Sequence, residues 1–157
     1  MRWVCAVSLV LWVALVGSAA WLFVRGVTAP GTDGRTAIRL APAERDVILG
    51  EMRALLVAVD GVVNALSDGT ASARQSRVKE AARAAGMGMA ADVEPGLMAK
   101  LPLPFKQMGL SVHRDFDEMA ERAERGADPS EVLRALSSIT NRCTACHAMY
   151  QLVAERP

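Results

Sequence analysis

Five residues near the end of the chain, Cys143-Thr144-Ala145-Cys146-His147, bring together two thiols and an imidazole. Each group has a definite chemistry. The thiols can add across the two vinyl groups of a haem as thioethers, and the adjacent imidazole can reach the iron from one face. Other uses of a Cys-x-x-Cys pair fit less well. A thioredoxin-like redox pair opens a helix after a strand, in a βαβ setting, and nothing in this chain reads as βαβ. A disulfide within one helical turn is sterically poor. A zinc site needs about four nitrogen or sulfur ligands. Beyond the N-terminal segment the chain offers only Cys143, Cys146, His147 and His113.

Helices must position these groups. The chain is 52% hydrophobic but only 4% aromatic, so its apolar mass is mainly Ala, Val, Leu and Met, which suit helices. The first helix is expected from Pro42, with Glu44 and Asp46 near its start. Val47, Ile48, Met52, Leu55, Leu56, Val59, Val62, Val63 and Leu66 recur along it at helical spacing, and Asp68-Gly69 should end it. A second helix is expected over about 71–91, with an Ala-rich face and an opposite face carrying Arg74, Arg77, Lys79 and Arg83. A Pro-rich connection leads to a third helix over about 103–125. Asp128-Pro129-Ser130-Glu131 opens the fourth, with an N-cap, a first-turn proline and a third-position Glu. In that helix Val132, Leu136, Ile139, Cys143, Cys146, Tyr150 and Val153 form one apolar stripe. The periodicity therefore predicts an all-α fold, an antiparallel four-helix bundle with a cofactor built between facing helices.

The first 25 residues differ from the rest. Trp3 to Val24 is an uncharged run closed by Arg25. It is long enough to cross a bilayer, which takes ~20 apolar residues, and longer than the ~7–15-residue core of a signal peptide. Ser18-Ala19-Ala20 offers small residues for cleavage, yet the apolar run continues past them. The expected organisation is a transmembrane anchor (or signal peptide) over 1–25, a flexible Gly- and Pro-containing tether over 26–40, and the bundle domain over 41–157. Cys5 reads as an apolar anchor residue. The net charge of +1 argues against a nucleic-acid partner.

On the opposite face of the iron, depth along the helices admits Met52 and His113, with Met108, Met87 and Met89 near the same end. Met52 and His113 both lie about ten residues into their helices, and an up-down bundle brings both near the level of His147. A thioether there gives six-coordinate iron and raises its potential relative to a second histidine.

The part beyond the anchor and most of the tether, about residues 38–157, resembles the cytochrome c-prime and cytochrome c-556 group, the class II c-type cytochromes. The resemblance rests on Cys143-Thr144-Ala145-Cys146-His147 followed by Ala148-Met149-Tyr150, and on Gly50-Glu51-Met52-Arg53-Ala54-Leu55 in the first helix. It implies one haem c per chain, bound by Cys143 and Cys146, with His147 as proximal ligand and Met52 as distal ligand. Attachment of such a haem takes place outside the bacterial cytoplasm, which implies a periplasmic domain. That domain is anchored to the inner membrane, or soluble if the leader is removed. Ile48 and Gln151 depart from the family, which often has Arg at both positions. The implied function is non-enzymatic one-electron transfer to redox proteins in or near the membrane, with homodimers also known in the group. The alternative is a five-coordinate haem that binds a small gas such as nitric oxide.

Overall fold

The computed structural model describes residues 2–67, 70–91 and 93–155. The uncharged N-terminal run folds as a single helix, α1 (Arg2–Arg25). Residues 3–25 are exposed along the whole helix, which is long and apolar enough to cross a membrane. Its 23 apolar-window residues span ~35 Å, against ~30 Å of bilayer hydrocarbon.

The rest is mostly helical, as the periodicity predicts. Four long helices, α2 (Pro42–Ser67), α3 (Ala71–Ala84), α6 (Leu103–Glu124) and α7 (Pro129–Met149), each send side chains into one core. Val62, Val78, Phe116 and Ile139, one from each helix, are fully buried there. The Ala face of α3 lets α2 approach closely: a Cβ on Gly61 would stand 3.0 Å from that of Ala81. Asp128 caps α7 as its sequence predicts. Its carboxylate accepts from the Ser130 amide, and the Glu131 side chain accepts from the Asp128 amide.

Four expectations need correction. The stretch predicted to be one helix over 71–91 breaks after Ala84, and a short α4 (Met87–Ala90) follows. The Pro-rich connection contains a short helix, α5 (Pro95–Lys100), started by its proline. The supposed tether is not free chain. Thr28–Pro30 and Thr36–Leu40 form strands β1 and β2, paired antiparallel. The last helix does not continue to Val153, because Tyr150 turns extended and Tyr150–Ala154 forms β3, parallel to β2. The helices are therefore joined by a small three-stranded sheet that an all-α reading does not include.

Burial is the physical reason for the sheet. Ile38 and Leu40 sit on one face of β2, fully buried with Ile48, Leu97, Leu101 and Phe105 in a second core. Pairing with β3 satisfies the β2 backbone, which could not be buried unpaired. The expected terminator Asp68-Gly69 lies outside the described residues.

Candidate functional site

The buried stripe of α7 runs through Val132, Leu136 and Ile139 and then changes character. Cys143 and Cys146, one turn apart and so on one face, are half-buried, and Cys146 packs against the second core. Burial pushes the Cys143 thiol up. Burial, with the neighbouring Cys143, pushes Cys146 up to about 11. Both are neutral thiols at ordinary pH. His147, on the last turn of α7, is exposed.

Cys146 and His147 open onto a cleft of about 230 Å³. Cys146, His147 and Tyr150 form one wall, Leu49 and Met52 of α2 the facing one, and Phe105 of α6 closes it. The Phe105 and Tyr150 rings meet edge to face at 5.5 Å. The structure thus brings four of the sequence-derived candidates together: Cys146, His147 and Met52 line one cleft, and Cys143 lies a turn away on the same helix face. Behind Met52 and Phe105 lies a second, apolar cavity of about 90 Å³, reached by Leu55, Leu110 and His113.

His113 takes a different role. It is 3% exposed, with Nδ1 2.8 Å from the Ala85 carbonyl and Nε2 2.9 Å from Glu51 Oε1. Both partners are acceptors, so the geometry suits a ring protonated at both nitrogens, an imidazolium. Burial alone lowers its pKa. The hydrogen bonds to Glu51 and Ala85, together with the carboxylate's charge, outweigh burial and raise it. A ring engaged at both nitrogens has no lone pair to offer a metal.

Sequence reasoning missed Arg35, hidden in the supposed tether. Its guanidinium donates to the carbonyls of His147 (3.2 Å) and Tyr150 (3.4 Å), satisfying the orphan acceptors at the end of α7. Asp33 holds it in place at 2.7 Å, and Arg35 in return lowers the Asp33 pKa. Two residues of the basic face of α3 are drawn onto α6: Lys79 bonds Glu124 at 2.6 Å and Arg83 pairs with Asp117 at 3.7 Å.

One more feature bears on what the cleft can hold. Among the described residues, α2 packs on α3, α3 on α6 and α6 on α7, but no comparable contact joins α7 back to α2. Met52, Leu56 and Val63 recur on one face of α2, and Leu56 (66% exposed) and Val63 (44%) are uncovered. The seam between the first and last helices of the core is open, and the cleft lies at its Cys143–His147 end. Among the described residues, no group of three or more His, Cys, Asp or Glu side chains is placed to hold a metal ion by itself. No protein-family model, curated protein or solved structure matches this chain.

Proposed function

We propose that this protein is a membrane-anchored c-type cytochrome, a one-electron carrier on the outer face of the bacterial inner membrane. Its core is read as an antiparallel four-helix bundle in which one haem c is bound by Cys143 and Cys146. His147 is the proximal iron ligand and Met52 the distal one. The observation that supports this best is the open seam, with Cys146 and His147 on its α7 wall, Cys143 a turn away on the same helix face, and Met52 on its α2 wall. The donor set fits a covalent haem, whereas a bare metal ion has no cage among the described residues. The cleft is smaller than the ~300–1,000 Å³ of sites that bury most of a ligand, so the fit relies on the uncovered seam beside it.

When bound, the haem supplies an iron that cycles between ferrous and ferric states. The chain's own residues do the rest. Cys143 and Cys146 fix the ring to α7, and Arg35 holds the backbone that carries His147. Phe105, Tyr150, Leu49 and Met52 exclude water and keep the surroundings apolar, which favours the lower net charge of the reduced state. No substrate chemistry is required of any side chain.

The test is haem staining of the full-length chain after denaturing electrophoresis, in wild type and in Cys143→Ser/Cys146→Ser. Stain in the wild type alone supports the reading, and no stain in the wild type sinks it. The apolar cavity behind Met52 favours a second reading, in which Met52 yields its place to a small gas such as nitric oxide. A reduced spectrum that changes on adding nitric oxide, at a rate set by departure of Met52, would select it.

A further inference from the structure

The junction between α1 and the domain is built, not loose. Lys106 is 6% exposed, yet its Nζ donates to the Phe23 carbonyl at 3.0 Å and lies 3.7 Å from the centre of the Phe23 ring. A cation here caps the orphan carbonyls at the C-terminus of α1 and meets the negative end of its dipole. Burial lowers the Lys106 pKa, as expected for an ammonium set into a contact and not into solvent.

Two residues on, the chain stays against the domain. Val27 N donates to the Lys100 carbonyl at 2.7 Å, and Arg39 N donates to the Val27 carbonyl at 2.9 Å. Gly26 has φ +65 and is buried against residues 100–102, where a Cβ would collide with the Lys100 carbonyl and the Pro102 nitrogen. From Thr28 the chain enters the sheet. No free segment separates α1 from the folded domain.

This junction lies next to the cleft. Lys106, which holds Phe23, follows Phe105, which closes the cleft against Tyr150. The opposite end of α6, Glu124, is ~30 Å away along the helix, beside the start of α7. The thiol–histidine end of the domain is therefore the end joined to α1.

Resting on the reading of α1 as a membrane helix, we infer that Lys106 and Gly26 lock α1 to the domain, so that the cleft-bearing pole faces the phospholipid bilayer. A partner reaching that cleft works at the headgroup level. A domain swinging on a tether would offer the cleft equally to soluble carriers.

The test uses the full-length chain in phospholipid vesicles, with a photo-crosslinking residue placed at Gln107 or at Arg125. Lipid adducts are counted by mass spectrometry, a readout that does not depend on the haem. The expected result is several-fold more lipid adduct at Gln107 than at Arg125. The bias should shrink in Lys106→Met and persist in Lys106→Arg. Equal adducts at the two sites in the wild-type background overturn the inference, whatever the variants do. A bias unchanged by Lys106→Met, in protein whose circular dichroism is native, overturns the lock. Loss of the chain from alkali-washed vesicles overturns the membrane reading itself, while absent haem staining bears only on the proposed cofactor.

Discussion

His113 Nε2 lies 2.9 Å from Oε1 of Glu51, the residue immediately before Met52. The same ring reaches the Ala85 carbonyl at the end of α3, so one side chain of α6 ties α2 to α3 beside the cleft. This tie holds α2 one residue before Met52, which lines the cleft with Cys146 and His147.

Removing the ring should be costly. His113→Ala leaves a buried carbonyl and a carboxylate without their donor, a loss of about 2–3 kcal/mol in unfolding free energy. Chemical denaturation of wild type and variant measures it.

The pH dependence has a definite sign. The folded-state pKa of His113 is raised above its ordinary value of 6.5. Its contribution is therefore complete below 6.5 and is lost as pH rises through the folded-state value. Thermal unfolding from about pH 6 to about pH 9 should show wild type losing more stability than His113→Gln, whose side chain does not titrate. Parallel curves for the two proteins would contradict the imidazolium assignment.

Met52→Ala should change the haem without removing it. With the proposed thioether gone, the oxidised protein passes from a low-spin to a high-spin absorption spectrum and its potential falls. Haem staining on denaturing gels stays. An unchanged spectrum would show that Met52 is not the ligand.

In chain prepared without haem, Cys146 should alkylate slowly. With its thiol pushed up to about 11, about a thousandth of it is thiolate at pH 8. Peptide mass spectrometry after timed iodoacetamide treatment should find Cys146 modified far more slowly than a model peptide thiol, with the rate climbing steeply at higher pH.

Ile38→Ala should destabilise the domain by about 2–5 kcal/mol, because Ile38 is fully buried in the second core. Amides of 36–40 should be protected from hydrogen exchange in the wild type. Free exchange there would restore the picture of a flexible tether.

Much of this was readable from local order in the chain. Asp128, Pro129 and Glu131 announce the start of α7 because a cap is made by residues three apart. The helical spacing of Val62, Val78, Phe116 and Ile139 marks their core faces for the same reason. His147 was harder to place. A helix carried on to Val153 sets it well inside the last helix, whereas Tyr150 turns extended and leaves it two residues from the end. His113 and Met52 had equal standing by depth along a helix, and depth says nothing about what a ring nitrogen touches.

The chain's residues already name the chemistry on offer: two thiols, an imidazole and a thioether, the helices that carry them, and an apolar helix ahead of them. Those properties lie in residue type and short-range period. Folding in three dimensions is what pairs β2 with β3 from the other end of the chain, sets Arg35 at the end of α7, and engages both His113 nitrogens with Glu51 and Ala85. It also decided that Lys106 grips α1 and that the seam between α2 and α7 stays open. Each is a contact between segments far apart in sequence, and long-range contacts leave no periodic signature in the chain that makes them.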